Sequence, residues 1–408
     1  MEKETLETEV VVETPKYILL QNEFCLSYTT ANCFENGIIV ENKTESKLTA
    51  KDLCFEKQKS FYNTFLKKHF KNLVVLTAAG TSMDNGGDAS SGKTREGLWE
   101  YCKSEIEVFA DLIADFKTKL FYTTKDIEGL LSHIILYEKL NGDIKKGNDV
   151  LRVALELKIA EACKLNLQTQ APHKDFLNKI IARKPSDPRV QLFTTNYDLL
   201  FEMAANESGF VVIDGFSFTQ PRKFSGRYFD FDIVNREKTR IKQEESFVSK
   251  VFQFYKLHGS LNWYKDSSGK VVQQDNPLKP LIIYPASEKY ESSYEQPYFE
   301  MMSRFQQALR KENTLLIVIG FGFQDKHIQN VIIEAVEQNP SFQLLIVNYN
   351  VTGGIETTSL APFFVDVGKN QVKRNVNIVF DTFGGFTKNY PSNNTYMETN
   401  TETGNESI

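Results

Sequence analysis

A histidine followed at once by glycine, His258–Gly259, ends the apolar run FQFYKLHG. Imidazole titrates near neutral pH and can take a proton from water or from a sugar hydroxyl. A packed, structural histidine is the competing account. Upstream, FTTNYD sets Thr195, Asn196 and Asp198 just past another apolar run. The Asn196 amide both donates and accepts, so it suits a ribose hydroxyl or a water. Asp198 precedes LLFEMA and serves equally well as the cap of that helix. A third stretch, Ala78–Ser82 (AAGTS), follows LVVLT. Its small residues let backbone N–H groups approach a pyrophosphate closely, and Thr81 and Ser82 add hydroxyls. A tight turn without ligand explains the same residues. The fourth stretch, IGFGFQDKHI, combines Gly320 with Asp325, which reads as a helix N-cap, and His327, which reads as packing. His69, His133 and His173 lie on helical stretches and carry no motif. No GxGxxG occurs, so the usual dehydrogenase fingerprint is missing.

These stretches need elements to position them. From Arg189 onward short apolar strands alternate with helices: VQLFTTN, FVVIDG, FQFYKLHG and LIIYP, then FEMMSRFQQALRKE, TLLIVIGFG, DKHIQNVIIEAVEQ and FQLLIVN. Near-continuous apolar strands between helices indicate a Rossmann-like α/β fold, a parallel sheet with helices on both faces. Ligands bind such sheets beyond the carboxyl ends of the strands. All four stretches sit at such ends, so they are expected to meet at one edge.

Residues 97–185 are nearly free of strand signals. EIEVFADLIADF, DIEGLLSHIILYEKL, DVLRVALELKIAEACKL and HKDFLNKIIARK repeat apolar positions at helical spacing. They read as an inserted all-helical module that divides the main domain into 61–96 and 186–388. Residues 1–60 form an N-terminal extension, and 389–408, rich in Asn, Thr, Ser and Glu, a disordered tail. Residues 219–245, polar and aromatic with mixed charge, read as an insertion or flap.

The 408-residue chain is 41% hydrophobic and 25% charged, enough for a sizeable core. Its net charge of −5 disfavours a general nucleic-acid surface. The longest apolar run is too short to span a bilayer, and the acidic start lacks a signal-peptide pattern. Five scattered cysteines without a CxxC pair suggest reduced thiols in a cytoplasmic protein and no zinc ribbon.

The ordered set TAAGTS, TTNYD, KLHGS, IGFGFQDKHI and LLIVN resembles the motifs of the sirtuin superfamily. The resemblance covers roughly 70–85 and 188–350. It implies NAD as the substrate bound, with Ala78, Ala79, Gly80, Thr81 and Ser82 as the phosphate loop. Thr195, Asp198 and Gly320 join the binding set, and Asn348 faces the adenosine half. Asn196 and His258 become the catalytic pair. MDNGGDAS replaces the usual GIPDFR segment, and the zinc ribbon of sirtuin deacylases is missing. In these departures the chain resembles the bacterial sirtuin-like NAD-degrading effectors of anti-phage defence, most of all the partner of a HerA-type ATPase. That resemblance implies an NAD glycohydrolase, and the lack of clustered cysteines makes it metal-free. The 97–185 module has more apolar faces than one sheet edge can cover, which predicts a homo-oligomer whose activity a partner ATPase raises. The rivals to the glycohydrolase are a protein deacylase and a non-catalytic NAD or ADP-ribose scaffold.

Overall fold

The structure is a computed structural model that describes residues 13–41, 48–87, 91–106, 109, 125–143, 145–146, 149–184, 186–235, 247–284, 295–349 and 357–393. The tail from 394, parts of the helical module and part of the 219–245 stretch lie outside the described residues.

Eleven strands form one sheet. They are β1 (Lys16–Gln21), β2 (Phe24–Tyr28), β3 (Cys33–Glu35), β4 (Ile38–Ile39), β5 (Asn72–Thr77) and β6 (Gln191–Thr194), followed by β7 (Val211–Ile213), β8 (Val251–Lys256), β9 (Thr314–Ile319), β10 (Gln343–Asn348) and β11 (Val376–Phe380). Their order is β4-β3-β2-β1-β11-β10-β9-β5-β6-β8-β7. From β11 to β7 every pairing is parallel. This is the expected α/β architecture. The N-terminal extension holds a feature that the sequence reading missed: β1 pairs antiparallel with β11 and carries an antiparallel meander, β2 to β4.

Alternate residues of each central strand supply the two faces, as the two-residue period of a strand requires. Val74, Leu76, Leu316, Val318, Leu344 and Ile346 share one core with the helices Tyr298–Leu309 and Lys326–Gln338. Leu73, Val75, Leu315, Ile317, Leu345 and Val347 face the other way. There they meet α1 (Ala50–Phe65) and the helices His173–Ile181, Leu200–Glu207 and Phe383–Asn389. A capping box starts α1, with Thr49 Oγ1 accepting from Asp52 N at 3.1 Å and Asp52 Oδ2 accepting from Thr49 N at 3.3 Å.

The helical module holds α2 (Arg95–Glu105), which the sequence reading did not single out, α3 (Ile127–Asn141) and α4 (Leu151–Ala162), while the expected helix EIEVFADLIADF lies largely outside the described residues. It is not all-helical: Lys145–Lys146 and Asp149–Val150 pair as short antiparallel strands. Trp99, Cys102, Leu130, Ile134, Leu155 and Ile159 make its core. The fourth expected helix, His173–Ile181, belongs elsewhere. Its Phe176, Leu177, Ile180 and Ile181 are buried on the sheet, because its apolar stripe faces Phe201 and Phe383 rather than the module. The 219–245 stretch also differs from a loose flap as far as residue 235: Phe224 packs on the core and Phe229 is buried within it, stacked on Tyr255 with ring centroids 4.2 Å apart. Arg304 ties the segment down through Asp230 at 2.8 Å.

The expectation of five reduced thiols is corrected. Cys33 of β3 and Cys54 of α1 form a disulfide, with Cα atoms 6.0 Å apart. The meander folds back over α1, a juxtaposition that linear spacing does not reveal. Among the described residues, no helix is long and apolar enough to cross a membrane.

Candidate active site

Strands β9, β5, β6 and β8 are neighbours in that order, and one of the four chemical stretches follows each. The chain leaves β5 for β6 on one side and later returns to β9 on the other. The strand order therefore reverses about β5, the position where open α/β sheets bind ligands. A cavity of about 290 Å³ lies there.

The turn after β5 is built by contact with the turn after β9. Gly80 N donates to Gly320 O at 3.2 Å, and Ala78 N donates to Ile319 O at 3.1 Å. A Cβ on either glycine would sit 2.5 Å from the Cα of the other, and Gly320 holds φ +66°. Glycine is thus required at both positions by the crossing of the two backbones. Residues Ala79–Met83 then form a short helix. Thr81 is fully buried; its hydroxyl donates to Ala78 O at 2.9 Å.

Asn196 joins this turn to the end of β6. Its Nδ2 donates to Ala78 O at 3.0 Å, Thr81 Oγ1 at 3.1 Å and Ser82 Oγ at 2.8 Å. The amide is planar, so its Oδ1 points the other way and is the end available to a ligand. Ser82 Oγ donates in turn to Asp198 Oδ2 at 2.5 Å, while Asp198 Oδ1 accepts from Leu200 N at 3.1 Å. The expected cap is thus shifted: the N-cap is Leu199, whose side chain bonds nothing there, and Asp198, one residue earlier, takes the first helical N–H while also holding Ser82.

Beneath this loop lies Lys256, the last residue of β8 and only 2% exposed. Its Nζ donates to Asp198 O at 2.5 Å and Tyr197 O at 3.3 Å, and pairs with Glu202 at 2.8 Å. Burial pushes the Glu202 carboxyl up, and the Lys256 ammonium opposes that shift. A lysine inside the apolar run FQFYKLHG is the sequence signal for such a pair, since buried lysines are rarely unpaired.

His258 follows two residues later. Its Nε2 lies 3.2 Å from Asp325 Oδ2, with the two side chains 15% and 10% exposed. Asp325 is also the N-cap of the helix Lys326–Gln338, with Oδ1 accepting from His327 N at 3.2 Å. The expected cap is present, and the carboxylate has a second task that the sequence did not suggest. A carboxylate on one ring nitrogen fixes the tautomer and leaves Nδ1 as the acceptor. The neighbouring His327 is pushed below the ordinary imidazole range by burial, with Asp325 opposing and His258 reinforcing the shift. The loop between Gly320 and Asp325 is held in an unusual conformation: buried Phe323 adopts φ +54°. Its ring contacts Phe321 and Phe363, with centroids 5.0 Å away in each case. Packing thus sustains a backbone state costing about 1–3 kcal/mol.

Ala78, Ala79, Ser82, Thr195, Asn196, Asp198, His258 and Gly320 all line the cavity, as does Asp325. Gly80 and Thr81 lie behind it as framework, and Asn348 stands at the end of β10, outside the lining. The segment leading into α2 adds Lys93 and Arg95, which the motif reading passed over. Lys93 Nζ is 5.2 Å from the Tyr101 ring centroid, and Arg95 bonds Gln324 and lies 3.4 Å from Glu128. Cys163 also reaches the lining; burial first, then Asp198 and Cys102, push its thiol up to about 12, against the pull of Lys93. It is a protonated wall group. Among the described residues, no group of three or more His, Cys, Asp or Glu side chains is placed to hold a metal ion.

Residues 190–352 match the family model described as a SIR2-like domain. The matched SIR2-like segment runs from the entry to β6 through the end of β10, and so contains Asn196, His258, Gly320 and Asp325. The turn Ala78–Ser82 and the cations Lys93 and Arg95 lie outside it. The match supports a sirtuin-like, NAD-related function in general. No curated protein matches the chain.

Proposed function

We propose that the chain is an NAD glycohydrolase acting at the SIR2-like cavity. The observation that carries this reading is the meeting of the Asn196 amide and the Asp325-aligned His258 in one cavity lining. The C1′–N bond of NAD breaks, its electron pair leaves with neutral nicotinamide, and positive charge develops on the ribose. Asn196 Oδ1 accepts a hydrogen bond from the attacking water and orients it. His258 Nδ1 takes the proton as the water oxygen bonds to C1′, and ADP-ribose and nicotinamide depart. An internal nucleophile in place of water would give a cyclised product.

Ala78, Ala79, Ser82, Thr195, Asp198 and Gly320 would line the ribose–diphosphate end, with Gly80 and Thr81 shaping the turn beneath. The charges of Lys93 and Arg95 suit a diphosphate. The adenosine half would extend toward Asn348. The test is NAD alone, without any acylated peptide, read as free nicotinamide. Release only with an acyl-lysine peptide would favour a deacylase.

Control is part of the proposal, since free NAD destruction in the cytoplasm would kill the host. The module exposes Leu136 and Leu140 on α3 and Val153 and Leu157 on α4. These suit self-association, with a partner ATPase of the HerA type raising activity.

A further inference from the structure

A second cavity, of about 390 Å³, opens at the opposite edge of the sheet. Its walls are the segment entering β5 (Leu66–Phe70) and Ala182, Arg183, Lys184 and Asp187 beyond the helix His173–Ile181, closed by residues after the last helix. The six residues of β5 separate it from the Ala78–Ser82 turn by roughly 20 Å.

Its charge is opposite to that of the chain, which carries −5 overall. Lys67, Lys68, Lys179, Arg183 and Lys184 line it, against the single carboxylate Asp187. Asp187 is already used, at 3.2 Å from Arg183 Nη2 and 3.0 Å from His69 Nε2. Lys179 pairs with Asp175 at 3.0 Å and donates to Thr387 O at 2.7 Å. Lys67, Lys68 and Lys184 have no carboxylate in salt-bridge range among the described residues, and all three are exposed. Arg183 is 17% exposed and spends Nη2 on the carbonyls of Phe70 and Lys71, at 2.6 and 3.1 Å. Its Nε is buried without a hydrogen-bond partner. Such an orphaned donor costs about 1–3 kcal/mol. Behind the cations the floor is apolar: half-buried Leu66 and the edge of Phe70 face the cavity, with Leu73 and Ile180 packed beneath them in the core.

We propose that this basic cavity binds a nucleotide, a planar apolar body bearing clustered phosphates. The body lies on the Phe70 floor, and Lys67, Lys68 and Lys184 neutralise the phosphates as mobile point charges. An apolar floor beside three exposed lysines, of which Lys68 stands 5.5 Å from the Phe65 ring centroid, separates this ligand class from a bare anion, which would gain nothing from Leu66 and Phe70.

Equilibrium binding of ATP to the full chain tests this, with inorganic pyrophosphate and adenosine as the comparison probes. The expected order is ATP first, with both comparison probes weaker. Lys67→Glu/Lys184→Glu should weaken ATP binding by roughly ten-fold or more, as loss of two charged contacts requires. Lys93→Glu/Arg95→Glu, which removes the cations of the first cavity, should leave it unchanged. Leu66→Ala, which trims the half-buried part of the floor but keeps the charge, should weaken ATP and spare pyrophosphate. ATP binding lost in Lys93→Glu/Arg95→Glu but kept in Lys67→Glu/Lys184→Glu would place the nucleotide at the other edge and overturn the proposal. Pyrophosphate binding as tightly as ATP, or no ATP binding at all, would do the same.

Discussion

Asp325 uses its two oxygens for two tasks: Oδ1 accepts from the backbone of His327, and Oδ2 lies 3.2 Å from His258 Nε2. One carboxylate thus fixes a helix start and the ring proposed to accept the proton. The helix and the base cannot move independently.

Asp325→Asn separates these tasks. Asparagine caps a helix about as well as aspartate, so thermal stability should change little. It cannot hold the imidazole with a charge or enforce its tautomer, so turnover should fall by roughly 10²-fold or more. A large drop in Tm with unchanged turnover per folded molecule would make Asp325 a cap alone.

Asn196 has a comparable double load. Its Nδ2 ties Ala78, Thr81 and Ser82 to β6. Asn196→Ala should therefore cost about 1–3 kcal/mol of stability, since partly buried acceptors lose their donor. Turnover should fall steeply while NAD affinity falls less, because the free oxygen orients rather than grips. Denaturant unfolding and steady-state kinetics check both. A variant that only raised KM would make Asn196 a binding residue.

These roles divide what the sequence disclosed from what it could not. Strand ends were legible because apolar runs break at TTNYD, LHGS and GFGF, and parallel strands bring such ends to one edge. The β1–β4 meander was not, since short half-exposed strands carry little periodicity. Asp325 looked like a cap because capping is local, whereas its contact with His258 spans two strands. Gly80 looked like a phosphate-approach residue. Its actual neighbour, Gly320, comes from a strand far along the chain.

His173 should make stability depend on pH. Its ring lies between Phe201 and Phe383, at 4.9 and 5.1 Å, and both nitrogens are buried without a hydrogen-bond partner. Burial lowers its pKa from the ordinary 6.5 to about 3. Above pH 6.5 the ring is neutral in both folded and unfolded chains, and its contribution is constant. As pH falls below 6.5 the unfolded chain takes a proton that the folded one refuses, so stability is lost toward pH 3. The slope reaches about 1.4 kcal/mol per pH unit. Asp381, pushed up to about 6 by burial, contributes with the opposite sign in any variant that keeps it. His173→Phe should therefore flatten the acid limb relative to wild type in unfolding titrations. Parallel curves would show that the ring is solvated.

The exposed leucines of the module give a test of assembly. Leu136 and Leu140 are 59% and 77% exposed. Leu136→Glu/Leu140→Glu should leave Tm nearly unchanged and lower the sedimentation coefficient, because each charge would have to be desolvated in a contact. A wild-type chain that already sediments as a monomer would refute self-association while leaving the site chemistry intact.

The central claim is that this cavity cleaves NAD without a second substrate. The decisive measurement is nicotinamide released from NAD alone, at high enzyme concentration, by wild type and by His258→Ala. Wild type should release nicotinamide together with ADP-ribose or its cyclised form, and the variant should be slower by roughly 10²–10⁴, the usual worth of a general base. An unchanged rate in His258→Ala, or release by wild type only when an acylated peptide is added, would contradict it.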